Sequence, residues 1–198
     1  MTCAPKTPDE WLEAIHQAFE KESDRAAGIV VAAMLDESLK LLLSKRMVQA
    51  PSKHGRITST LDRDQPLSTF SARINAAFQL GLISRYMARD LHLVRDIRND
   101  FSHEPFVSSF DSGPTKDKVK ALDEASDYNK RNPELRRKIG PPGARWDFLG
   151  ATAWMLYHLH RQVDETERFS EHGKEFGYID WSELEAVLRK SLPDIEIN

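Results

Sequence analysis

MARDLHLVRDIRNDFSH, residues 87–103, decides how the rest of the chain is read. Met87, Leu91 and Val94 recur at steps of four and three, the period of a helix that buries one apolar stripe. The next step lands on Arg98, and the one after on Phe101. An arginine therefore stands where the stripe asks for a leucine. Arginine does not shed its charge, and burying it is costly unless acceptors surround it. The pattern predicts a buried Arg98 tied to something. Pro105 disfavours the helical state for Glu104, so this helix is expected to stop near His103.

Helical signals extend outward on both sides. Thr7-Pro8-Asp9-Glu10 reads as a capping box with proline at the first helical position. Trp11, Leu12, Ile15, Ala18 and Phe19 then face inward. Residues 25–47 form a long helix, apolar nearly all round at Ile29, Val30, Val31, Met34 and Leu35, and narrowing to Leu39, Leu42 and Leu43. Such breadth marks a central helix, or one that also faces a second subunit, and a homodimer is expected on that ground. Residues 50–66 read as a loop whose Lys53, His54, Arg56, Thr58, Ser59 and Thr60 would suit an anion if they were ordered around one.

A third helix spans 68–82, with Phe70, Ile74, Ala77 and Phe78, and ends at Gly81 or soon after. Ser84 is placed to cap the fourth. Residues 105–143 are loop-rich and charged, with one or two short helices, a helix start at Asn132-Pro133-Glu134 and a break at Pro141-Pro142-Gly143. Residues 145–168 carry Phe148, Leu149, Thr152, Met155, Leu156, Leu159 and Val163 as another long helix. Asp180-Trp181-Ser182-Glu183 opens a last short one. The expected fold is all-α: one domain over residues 1–198, a bundle of long core helices with C-terminal helices over 144–192 and a peripheral helical C-terminal segment.

Composition narrows the function classes. The 198 residues are 40% hydrophobic and 30% charged, with 28 basic against 31 acidic side chains and a net charge of −3. That balance argues against affinity by broad phosphate neutralisation, so neither DNA nor RNA binding draws support from it. The single Cys3 forms no intrachain disulfide, the opening residues lack a signal-peptide core, and no run of about eighteen apolar residues occurs, so a cytoplasmic protein is expected. No phosphate-cradling glycine loop, nucleophile elbow, paired carboxylates or metal-ligand spacing is present, and neither a metal nor a cofactor is expected. His158 and His160, two apart on a helix, point to different sides. Trp146 and Trp154 read as packing residues, and Arg136-Arg137-Lys138 as a solvated helix end.

Residues 66–74 (PLSTFSARI), Leu80-Gly81-Leu82-Ile83, Asp90-Leu91 and residues 97–103 (IRNDFSH), with Leu35-Asp36-Glu37-Ser38-Leu39 upstream, resemble the mannitol operon repressor family. The resemblance covers residues 25–104 and implies an all-helical regulator of transcription. That family lacks a recognisable helix-turn-helix, which implies regulation through protein contacts.

The same residues resemble a second group, the HEPN-type helical ribonucleases, which carry an arginine, four to six residues, then a histidine. Chance alone supplies about 1.7 such pairs in this composition, and Arg85 to His92 is one. Requiring asparagine after the arginine lowers the expectation to roughly 0.04, which singles out Arg98-Asn99 with His103. Such enzymes often continue with a tyrosine where this chain has Pro105. The resemblance implies metal-independent cleavage. Arg98 would hold the phosphate, His103 would move the proton, and Asn99 would orient one of them. Residues five apart on a helix are rotated by roughly 140°, so Arg98 and His103 converge only if the helix frays or two subunits each give one. The structural alternative pairs Arg98 with Asp36 or Glu37, with Asn99 and His103 capping the helix end. A regulator acting through a protein partner is the preferred expectation, ahead of a ribonuclease and of a direct DNA-binding repressor.

Overall fold

The computed structural model describes residues 5–49, 59–103, 109–125, 141, 143–170 and 190. Among them are six helices and no strand: α1 (Pro8–Phe19), α2 (Asp24–Arg46), α3 (Phe70–Gln79), α4 (Arg85–His103), α5 (Gly113–Ala125) and α6 (Ala144–Glu165). The fold is all-α. The chain divides into two compact units, Met1–Arg168 and Phe169–Asn198, and all six helices belong to the first. Cys3, Lys53, His54, Arg56, Thr58, Pro105, the helix start at Asn132, the run Arg136-Arg137-Lys138 and the helix opening at Asp180 lie outside the described residues.

The helix starts follow their capping chemistry. Thr7 Oγ1 accepts from the Glu10 amide at 3.2 Å, and Glu10 reaches back to accept from the Lys6 amide at 2.7 Å. Ser23 and Thr69 cap α2 and α3 through the amides three residues on, at 3.1 and 3.2 Å, and Ser84 does the same for Met87 at 3.1 Å. Gly81, with φ of 69°, closes α3: the Leu82 amide donates to Ala77 and the Gly81 amide to Phe78, each at 2.9 Å. The segment expected to be loop-rich with one or two short helices holds the 13-residue α5. Its Val119 and Leu122 are buried, which gives this helix an apolar side to seat.

The central helix is α2. It packs against α3, α4 and α6, while α6 also seats α1 and α5. The breadth of apolar surface over residues 29–43 thus has a cause inside the chain: Val31, Ala32, Leu35, Leu39, Leu42 and Leu43 are buried among three neighbours. Val30 and Leu41 stay exposed, at 46% and 45%. Phe101, Phe110 and Phe148 form an aromatic cluster in the core, with ring centroids 5.1 Å apart edge-on and 4.4 Å apart stacked. Gly28 makes room for them. A Cβ there would stand 2.5 Å from Phe101 Cδ2, so the aromatic ring lies directly on the α2 backbone.

One carboxylate fastens the start of α2. Asp24 accepts from Ser109 Oγ at 3.0 Å and from the Phe110 amide at 2.9 Å, and it forms a salt bridge to Arg145 of α6. Arg145 also donates to the carbonyls of Phe19 and Glu22, the latter at 2.8 Å. A single ion pair with its hydrogen bonds ties together the end of α1, the start of α2, the segment before α5 and the start of α6.

Candidate functional site

The candidate side chains lie in an ion pair between α2 and α3 and at both ends of α4. At its C-terminal end the helix continues without a break to His103. Leu91, Val94, Ile97 and Phe101 form the buried stripe. Arg98 is exposed, and its Nη1 donates to Asn99 Oδ1 at 2.9 Å. The expectation of a buried Arg98 is therefore corrected. On the side of α3, Arg95 Nη1 bonds Ser71 Oγ at 2.8 Å in that helix's first turn, and Arg98 lies nearly a turn beyond that point.

The rest of the hexapeptide disperses. Asp100 turns to α5, accepting from Lys118 Nζ at 2.6 Å and Thr115 Oγ1 at 3.2 Å. Ser102 Oγ donates to the Arg98 carbonyl at 2.8 Å, and His103 is exposed. Because the last turn is intact, Arg98 and His103 of one chain stand roughly 140° apart around the axis. The convergence that fraying would allow is not seen in this helix, which runs intact to His103.

The expected carboxylate pairing exists with a different arginine. Arg73 of α3, 7% exposed, donates from Nη1 to Asp36 Oδ1 at 2.7 Å and from Nη2 to the Ser68 carbonyl at 3.0 Å. Asp36 is thus committed to Arg73, not Arg98, and Glu37 is exposed. Such a pair, once buried, holds its place because either charge alone would be stranded in a poor solvent.

At the other end of α4 a cleft of about 230 Å³ opens toward α6, bordered by Tyr86, Met87, Asp90, Trp154, Met155 and His158. A second hollow of about 190 Å³ also touches Ser84, Met87 and His158 and continues past Leu82 and Leu159. Asp90 is 6% exposed, and its Oδ1 has no hydrogen-bond partner. Burial pushes its carboxyl up to about 6, against a smaller opposing pull from the Arg89 charge. His158, in edge contact with Trp154 at 4.4 Å, is pushed below the ordinary histidine value, first by burial and then by Arg161. His160 points elsewhere, with Nε2 3.3 Å from Ser38 Oγ and its ring against Trp11. Trp146 stacks on His16 of α1.

Forward counting from Met87 steps over Asp90, although the signal is in the sequence. Counted back from Phe101 through Ile97 and Val94, steps of four, three and four arrive at Asp90. It is the charged residue that the stripe does bury. Among the described residues no group of three or more His, Cys, Asp or Glu side chains is placed to hold a metal ion, and no helix is long and apolar enough to cross a membrane.

No protein-family model matches the chain, and no curated protein matches it. Among solved structures, the fold is similar to that of a possible transcriptional regulator, YggD, from Shigella flexneri 2a. The TM-score is 0.51 at 14% sequence identity, and the match takes in 83% of this chain and 99% of that one. At this identity the likeness is one of fold.

Proposed function

We propose that this chain is a cytoplasmic regulatory protein that acts on transcription by binding a protein partner, in the manner implied by its resemblance to the mannitol operon repressor family. One observation carries the reading. The helical fold is similar, over nearly the whole length of that chain, to a possible transcriptional regulator. The scattering of the Arg98 hexapeptide supports it further, since Asp100 serves α5 while Arg98 and His103 lie on different sides of α4. The net charge of −3 gives no broad basic surface for nucleic acid, which favours a protein over a promoter as the contact.

A ribonuclease is the second reading. The bond between Arg98 and Asn99 favours it, being the orienting contact such chemistry needs. It requires two copies of the chain, each giving one helix end to a shared site. One experiment separates the two. Nascent transcription and RNA half-lives are compared in the native host with the chain present, deleted, or replaced by Arg98→Ala and His103→Ala. Altered initiation of a small gene set with unchanged half-lives supports the regulator. Half-lives that lengthen equally on deletion and in both variants overturn it. A salt-dependent gel shift of promoter DNA by the pure protein would replace partner contact with direct binding.

A further inference from the structure

We propose that the cleft between α4 and α6 binds a small organic cation, a primary amine or guanidine on a short apolar stem, with the Asp90 carboxylate as its counter-ion. This goes beyond the regulatory reading and does not rest on it. Asp90 is more than nine-tenths buried, and among the described residues its Oδ1 has no hydrogen-bond partner. Leaving such an oxygen unbonded is costly, and a carboxylate recovers most from a partner that also brings positive charge.

Among the described residues, the nearby cations are turned to other groups. Arg85 donates to Tyr86 Oη at 3.1 Å and lies over that ring, Arg161 pairs with Glu165 at 2.9 Å, and Arg89 is exposed and acts on Asp90 only through its field. Burial favours the neutral form of His158. The position of a bonded cation beside Asp90 is therefore left to something that enters.

The remaining walls fit the same guest. Trp154 borders the cleft with aromatic surface, which attracts organic cations, while the Tyr86 ring already carries Arg85. Met87, Met155 and Ala151 add apolar contact for a short stem. A volume of about 230 Å³ is that of roughly eight waters, so the part of the guest that enters is small.

The test titrates the full chain with n-butylammonium chloride at pH 7.5, followed by calorimetry and saturation-transfer NMR. The neutral n-butanol serves as its match in length. Saturable binding of the ammonium is expected, with n-butanol and the Asp90→Asn variant each at least about tenfold weaker. Between pH 7.5 and 5 the affinity should fall about tenfold, because Asp90 takes up its proton near 6 while the ammonium stays charged. Arg85 and Arg89 from α4 and Arg161 from α6 keep their charge over this interval, and any protonation of His158 adds repulsion of the same sign. Trp154→Leu should weaken binding several-fold.

Circular dichroism checks that each variant folds. Should Asp90→Asn fail to fold, the pH series and Trp154→Leu decide. Equal binding of n-butanol, undiminished binding by either folded variant, or no saturation below about 50 mM would overturn the proposal.

Discussion

The two ends of α4 carry the same kind of residue and treat it in opposite ways. Near the start, Asp90 lies on the inner face and is buried without a bond to Oδ1. Near the finish, Arg98 stands on the same broad arc of the helix and is exposed, its guanidinium bonded to the neighbouring Asn99. The contrast separates two things that a hydrophobic stripe merges. Periodicity states an angle around the axis. Burial needs, in addition, a neighbour at that height along the axis. The ten-residue α3 covers about 15 Å of α4, whose nineteen residues run to about 28 Å, so Arg98 extends past α3, while Phe101, turned toward α2, stays covered.

That comparison can be broken from either end. The largest effect is expected at Phe101, which shares the last turns with Arg98 but faces inward onto Gly28 and Phe110. Phe101→Ala should lower stability by about 3–5 kcal/mol in urea unfolding. A loss below about 1 kcal/mol would mean that this end is not seated in the core. Next, Asp36→Ala strands Arg73 and should cost about 3 kcal/mol. If Arg73→Met restores most of that loss, the cost is the stranded charge itself.

The third test reads Asp90 by its proton. Its folded value near 6 lies above the unfolded carboxylate value of 3.8, so the folded state holds the proton more tightly. Stability from this group is therefore present at low pH, is lost as pH rises through about 4 to 6, and stays level above. A carboxamide in its place does not titrate. Relative to the wild type, Asp90→Asn should gain on the order of 2 kcal/mol between pH 4 and pH 8, measured as the difference in urea midpoints. Parallel pH curves for the two proteins would remove the buried charge from the account. The smallest effect belongs to Arg98→Ala, within about 0.5 kcal/mol, as befits an exposed side chain. A larger loss would show that Arg98 is covered after all.

Much of this architecture is legible in residues. The caps at Thr7, Ser23, Thr69 and Ser84 are local chemistry, and so is the stop at Gly81. The long apolar runs of α2 and α6 need only their period to be recognised as helices that pack together. Asp36 is legible as a carboxylate in need of an arginine, but the stripe of α4 points to the wrong one. Arg73 lies beside Phe70, Ile74 and Ala77 on a short helix, and which arginine meets Asp36 depends on how α3 sits across α2. The cleft at Asp90 is less legible still. Its two walls are some sixty residues apart in sequence, and no periodicity within α4 announces that Trp154 and His158 will stand opposite.

The clasp at Asp24 bears on the order in which the chain is made. Its carboxylate waits for Ser109 and Phe110, 85 and 86 residues later, and for Arg145, 121 residues later. A growing polypeptide that has delivered α1 through α4 still lacks the arginine that locks the start of its central helix and the long helix that covers it. Until residue 145 is synthesised, Leu35, Leu39 and their neighbours have no complete cover. The half-made protein is then at its most adhesive, and truncation before α6 should yield aggregates where truncation after it does not.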